Sequence, residues 1–341
     1  MIRFDSDYMQ GAHPKILEEL CRINMEKKTG YGRDEHCDHA RSMIRSLCEK
    51  PEAEVFFLSG GTQANAAVIS ALLRTYEGVV ATQYGHICSH EAGAIEATGH
   101  KVISLPSADG KLSATALDAY MRGFFEDENC EHLVRPGMVY LSHPTEWGTV
   151  YTKEELKKLK QVCEKYSLPL YVDGARLGYG LMARKTDVTL KDIAKYCDAF
   201  YIGGTKVGAL FGEAVVLVNT RRFAHFFTHI KNRGALLAKG WLIGVQFEAL
   251  LRDNLYFEIA RNAVDRAMEM REVLRQKGYE LYIDSPTNQQ FIVLEDRQLE
   301  MMKDRLGYSF WEKTQDGRTI IRLATSWAST REEIFELSKI L

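Results

Sequence analysis

The sequence predicts an α/β fold: a large domain on a mainly parallel β-sheet, then a smaller α+β domain. Three observations predict it. From about residue 54 to 219, short apolar runs alternate with stretches of helical period, the order of parallel strands joined by crossover helices. Runs such as VFFL at 55–58 and LPLYV at 168–172 are continuous, as strands buried on both faces require. Beyond about residue 219 the alternation stops, and long helical stretches lead into a few short strands and a last helix.

The elements follow in order. An extended arm, residues 1–13, precedes PKILEELCRINMEK at 14–27, whose Ile16, Leu17, Leu20 and Ile23 share one helical face. The arm is expected outside the large domain, against it or on a second subunit. TGYGRDEH at 29–36 reads as a loop and ARSMIRSLCEK at 40–50 as a helix. EVFFLSGGTQANAAVISALLRTY at 54–76 reads as a strand, a glycine turn and a helix. VVATQYG at 79–85, HKVISL at 100–105, MVYLSHP at 138–144, LPLYVDG at 168–174, DAFYIGGTK at 198–206 and EAVVLVN at 213–219 read as further strands. Residues 240–277 are helical in period. QQFIVLE, YSFWEKT and RTIIRLAT then give short strands, and TREEIFELSKIL a terminal helix. The division places the large domain at 14–240 and the smaller one at 241–341.

Composition excludes several classes. A formal net charge of −2 gives no global pull toward nucleic acid or an anionic membrane. No segment approaches the roughly 20 apolar residues that span a bilayer, and residues 1–14 lack the apolar core of a signal peptide. Seven scattered cysteines, never paired as CxxC, read as reduced thiols in a cytoplasmic protein. Asp34-Glu35-His36-Cys37-Asp38-His39 is dense in potential metal ligands, but consecutive residues on a helix do not share a face and no zinc spacing is present. It reads as a polar helix start at a subunit contact, and no metal site is expected.

Three motifs carry chemistry. Ser59-Gly60-Gly61-Thr62-Gln63 ends a strand and opens a helix, where free N–H groups and the helix dipole suit a phosphate. It is neither a Walker loop nor a GxGxxG fingerprint, and such a turn alone is more often a plain turn than a phosphate site. Asp173, in Tyr171-Val172-Asp173-Gly174-Ala175-Arg176, closes an apolar strand at the sheet edge that lines the ligand crevice in open α/β folds. It suits a protonated ring nitrogen and equally a helix N-cap. Lys206, in Ile202-Gly203-Gly204-Thr205-Lys206, follows the next strand among small residues, a confined setting that favours an uncharged amine and Schiff-base chemistry. A phosphate turn, a strand-end Asp and a later strand-end Lys, in that order, are what pyridoxal 5′-phosphate (PLP) needs.

SGGTQAN, YGHICSHEAGA, VDGARLGYG and GGTKVGALFGEAVV, in this order and spacing, resemble the L-threonine aldolase and β-eliminating lyase family of fold-type I PLP enzymes. The resemblance runs from about residue 5 to 325. It implies Lys206 as the Schiff-base residue, with Thr205 beside it, and Asp173 at the pyridine nitrogen. It places Arg176 near the ring oxygen and substrate, Gly61 and Thr62 at the phosphate, and His86 stacked on the ring. Ser6 and Arg322 are implied to hold the substrate carboxylate. Tyr31 lies near a site shared with a neighbouring subunit, and Arg233 or Lys239 reaches the partner's phosphate. A homo-oligomer, at least a dimer and expected as a tetramer, follows.

The sequence departs from the family at one point. Where many members have Thr-His-Asn-Gly, this chain reads Pro144-Thr145-Glu146-Trp147-Gly148-Thr149, so Glu146 stands in the place of a histidine. A carboxylate lacks the donor–acceptor pattern of an imidazole but accepts a hydrogen bond from a β-hydroxyl, or acts as base if burial raises its pKa. The expected reaction is retro-aldol cleavage of a β-hydroxy-α-amino acid to glycine and an aldehyde, with His86 as first candidate for the base and Glu146 as second. A β-eliminating lyase, an aminotransferase and a non-catalytic PLP-fold sensor are the alternatives.

Overall fold

A computed structural model describes residues 1–341. The arm forms β1 (Ile2–Arg3), and then come α1 (Pro14–Ile23) and α2 (Glu35–Cys48). The large unit continues β2 (Glu54–Leu58), α3 (Gly61–Leu72), β3 (Glu77–Thr82), α4 (His86–Ser89), β4 (Val102–Leu105), α5 (Ala114–Glu126), β5 (Arg135–Ser142), α6 (Lys153–Lys165) and β6 (Leu170–Asp173). It goes on through α7 (Leu177–Leu181), α8 (Leu190–Tyr196), β7 (Ala199–Gly203), β8 (Glu213–Leu217), α9 (Phe226–Asn232) and α10 (Trp241–Leu251). Helix α11 (Leu255–Gln276) leads to β9 (Glu280–Leu281), β10 (Gln289–Leu294), α12 (Asp296–Met302), β11 (Leu306–Gly307), β12 (Ser309–Lys313), β13 (Thr319–Ala324) and α13 (Arg331–Ile340).

The seven strands expected of the large sheet are present, in the order β2-β8-β7-β6-β5-β3-β4. Neighbours from β7 to β4 pair in parallel; β8 alone runs antiparallel, to both β7 and β2. Strands β6, β7 and β8 are buried throughout, which explains their unbroken apolar sequence. Because β2, β3, β5, β6 and β7 point the same way, the segments that follow them all emerge at one sheet edge. The reversed β8 begins at that edge, with Glu213 opposite Gly203.

The smaller sheet, β12-β13-β10-β9, is antiparallel. The arm lies beside it: β1 and β11 form a separate two-stranded parallel sheet, Phe4 N–H donates to the Gly307 carbonyl, and Ala324 N–H, at the end of β13, donates to the Phe4 carbonyl. Helix α1 stops at Ile23, not at residue 27, because Met25 beyond it has no surface to cover and is 89% exposed. Helix α2 starts earlier than its apolar period suggests, since Asp34 caps the Cys37 N–H. Positive φ at Asp253 and Asn254 breaks the stretch from 240 to 277 into α10 and α11.

The expected division at 240/241 falls just ahead of α10, whose Ile243, Phe247 and Leu250 share the core of the large sheet with Cys37 and Ala40 of α2. The core changes inside α11: residues up to Val264 face the large unit, whereas Met270 and Leu274 join the smaller sheet. The helical period runs unbroken across this change, so the sequence carries no mark of it. No helix is long and apolar enough to cross a membrane.

Candidate active site

Lys206 follows β7 and opens onto a cleft also lined by Tyr8, His86, His90, Glu146, Arg176, Ser309, Phe310, Trp311 and Arg322. Six elements deliver these groups: the arm, the short helix α4 after β3, the loops after β5 and β6, and the small sheet's β12 and β13. The Tyr179 hydroxyl donates to the Lys206 carbonyl, and Gly204 and Thr205 N–H donate to the Gly212 carbonyl. The lysine backbone is therefore fixed on both sides. Burial, reinforced by the charge of Arg176, pushes the Lys206 amine below its ordinary pKa, against the pull of Asp7, Glu146 and Asp173.

Asp173 closes β6 and is buried. Its carboxylate accepts hydrogen bonds from Tyr140 Oη (2.6 Å), Asn65 Nδ2 (2.9 Å), Tyr201 Oη and the Ala175 N–H (3.0 Å). Burial favours the neutral acid, but the His86 charge and these donors outweigh it and hold the group below the usual carboxylate range. The N-cap reading fails, because the Ala175 N–H it caps belongs to a turn and Arg176 is the cap of the short α7.

The Ser59–Gln63 turn ends β2 and opens α3, as the sequence suggests. Gly60 is the N-cap of α3, no side chain caps the helix, and the space where a Gly60 Cβ would lie is open. A Cβ on Gly61 would come 2.9 Å from the Tyr201 hydroxyl, so glycine there lets the helix start approach the Asp173 network. Thr62 is exposed at this start. Thr205 points elsewhere: its hydroxyl donates to Glu213 Oε1 (2.8 Å) and accepts from the Gly212 N–H (3.0 Å). Its one proton is thus used inside the protein.

Arg176 is buried between two carboxylates, with Nε and Nη2 donating to Asp7 Oδ2 and Oδ1 (2.6 and 3.1 Å) and Nη1 lying 3.6 Å from Glu146 Oε2. Arg322 donates to Gln289 Oε1, the Asp5 carbonyl and Ser309 Oγ, and Trp311 stacks on its guanidinium. Ser6, in the arm beside them, is buried with no partner for its hydroxyl. His86 Nδ1 lies 2.7 Å from Glu91 Oε1. Burial opposes its charge, but Glu91, Glu146 and Asp173 together raise its pKa.

The structure thus brings Lys206, His86, Glu146, Arg176 and Arg322 into one cleft, with Asp173 beneath it. Tyr31 and Arg233 are not part of that cleft. Tyr31 borders a separate hollow with Arg33, Arg41 and Phe227, under the Lys231 ammonium. Arg233 is exposed and donates to His229 Nε2. The His36 of the polar helix start faces Glu248 on α10 at 2.6 Å. Sequence reasoning missed Asp7, Glu91, Asn65 and Glu213. Asn65 and Glu91 stood inside the motifs SGGTQAN and YGHICSHEAGA, and Asp7 next to Ser6, but nothing in one sequence says which carboxylate meets which cation.

This donor set fits PLP: an uncapped helix start for a phosphate, a buried carboxylate for a pyridinium and a half-buried amine, lowered in pKa, for the aldehyde. Fold and site together define the class, a fold-type I PLP-dependent enzyme. The model of the beta-eliminating lyase family matches residues 3–296, and the chain belongs to that family. It is a PLP-dependent lyase, similar throughout its length to threonine aldolases. The low specificity L-threonine aldolase of Pseudomonas aeruginosa is 27% identical over 340 residues, covering 99% of this chain and 96% of that one. The structure of Leishmania major threonine aldolase superposes with a TM-score of 0.96 at 43% identity, covering 100% of this chain and 98% of that one. Treponema denticola cystalysin, a PLP-containing structure, shares the fold at a TM-score of 0.74 and 14% identity, covering 100% of this chain and 91% of that one.

Proposed function

We propose that this chain cleaves a β-hydroxy-α-amino acid of the L-threonine or L-allo-threonine type to glycine and an aldehyde, with Lys206 as the residue that bonds to PLP. The observation that carries the reading is the meeting, in one cleft, of a half-buried lysine, two buried guanidinium groups and two groups able to hold a proton, His86 and Glu146. The N–H groups at Gly61 and Thr62 would take the cofactor phosphate and Asp173 its ring nitrogen, with His86 next to the cofactor in the same cleft. When bound, PLP supplies the sink for the electron pair of the breaking Cα–Cβ bond.

The chain's residues do the rest. Arg322 donates to the substrate carboxylate from the N–H positions that Gln289, Asp5 and Ser309 do not use, and Ser6 Oγ, unpartnered in the chain, adds a donor. Arg176, neutralised by Asp7 and Glu146, keeps its orientation without dominating the cleft. His86 Nε2 accepts the β-hydroxyl proton, and Glu146 is the second candidate for this role. Phe310 and Trp311 cover the cleft from the smaller unit and limit water. The same reading makes the active unit a homodimer within a tetramer, with Tyr31 and Arg233 serving a neighbouring subunit, and places the enzyme in the cytoplasm.

The test is product analysis with L-threonine and L-allo-threonine. Equal amounts of glycine and acetaldehyde are expected. 2-Oxobutanoate with ammonia, or a 3-hydroxy-2-oxo acid formed only with an amino acceptor, would replace this reading with β-elimination or transamination.

A further inference from the structure

Glu91 lies just beyond α4, and its side chain is fully buried. One oxygen, Oε1, meets both His86 Nδ1 (2.7 Å) and Asn65 Nδ2 (2.7 Å). The other, Oε2, is buried with no partner in the chain. Asn65, itself fully buried, spends its second amide hydrogen on Asp173 Oδ2 (2.9 Å), while its carbonyl accepts from the Tyr171 hydroxyl (2.9 Å). His86 Nε2 has no partner in the chain, and the ring lines the cleft.

We propose that Glu91 is a positioning residue that keeps His86 protonated on Nδ1 and so leaves Nε2 as the nitrogen that exchanges a proton with substrate, with Asn65 tying this pair to Asp173. The tautomer follows from the acceptor. A carboxylate has no proton to give, so the nitrogen facing it must carry one, and a neutral imidazole then has its lone pair on the other nitrogen. Free histidine favours the opposite tautomer, so the choice is imposed by the site. Asn65 supplies the rigidity: its amide is used in full, and it fixes the Glu91 and Asp173 carboxylates side by side instead of letting them repel apart.

Several groups face the His86 imidazole. Glu91 comes from the loop after α4, His90 stacks on it from the end of that helix, Glu146 comes from the loop after β5, Asp173 from β6 and Lys206 from the turn after β7. Of these, Glu91 alone touches a ring nitrogen. Its removal is therefore separable from the background charges. The proposal rests on His86 acting in the cleft, as read above.

Glu91→Gln keeps the shape and the Oε1 acceptor but removes the charge. Nitrogen-15 NMR of histidine-labelled protein without cofactor, with His86 assigned by its loss in His86→Asn, reads both tautomer and titration. The wild type should show His86 as the Nδ1–H tautomer above its pKa, and Glu91→Gln should titrate about one pH unit lower. An Nε2–H tautomer in the wild type overturns the proposal even if the variant fails to fold, as does an unchanged titration in a folded variant. In the holoenzyme, the acid limb of the kcat/KM profile should move down by the same interval. A shifted titration with an unmoved limb upholds the hold of Glu91 on the imidazole and removes His86 as the base.

Discussion

A guanidinium is not buried alone. Arg176 is 6% exposed, and the group that makes this tolerable is Asp7, fully buried and also bonded by Asn288 Nδ2 at 2.9 Å. Burial alone would raise the Asp7 pKa, but the charges of Arg176, Lys206 and Arg322 hold it well below the usual carboxylate range. Asp7→Ala should therefore cost about 3 kcal/mol in urea unfolding, the cost of leaving one partner of a buried pair uncompensated. The loss should shrink as pH falls below about 4, where the unfolded-state Asp binds its proton and wild-type protein begins to lose the same stabilisation. A loss that is independent of pH would remove the charge pairing from the account. Lys206 and Asp173 were legible in the sequence because each ends an apolar strand in a small-residue setting. Asp7 was not, since its partner lies 169 residues away and only the fold joins them.

At the scale of elements, strand direction decided what the sequence could tell. The alternation of strands and helices implied a parallel sheet, and every chemical motif was correctly put at a strand's carboxyl end. Strand β8 broke the pattern: being antiparallel, it brings its first residue, Glu213, to that same edge. A continuous apolar strand carries no sign of its own direction, so Glu213 read as an ordinary strand start. It is buried and accepts from the Gly204 N–H (3.0 Å) and the Thr205 hydroxyl, fixing the turn that carries Lys206. Burial pushes its pKa up to about 8, against the pull of these donors and of Lys206. From about pH 4.5 to about 8 the folded protein thus holds a proton that the unfolded chain has lost. Stability conferred by this proton falls as pH rises through that window, by at most about 1.4 kcal/mol per pH unit, and is level above it. In Glu213→Gln, which cannot titrate, this part of the slope should vanish from thermal or urea unfolding across the window. A variant with the wild-type slope would show that the carboxyl ionises normally in the fold.

For the whole molecule, the cleft exists because two sheets and the arm converge on it. The large sheet supplies Lys206, Asp173 and Arg176; β12 and β13 supply Trp311 and Arg322; the arm threads between them, held by the pairing of β1 with β11 and by the Ala324 N–H bond to the Phe4 carbonyl. The two-part architecture was legible, while the arm's path was not, because two residues of strand pairing leave no periodicity to read. The central claim is that this assembly exists to place one lysine on PLP. Borohydride reduction of the cofactor-loaded protein, followed by peptide mass mapping, tests it directly. One pyridoxyl-modified peptide is expected, the one containing Lys206, and none in Lys206→Ala. Modification of a different lysine in the wild type, or a modified peptide that persists in Lys206→Ala, would contradict it.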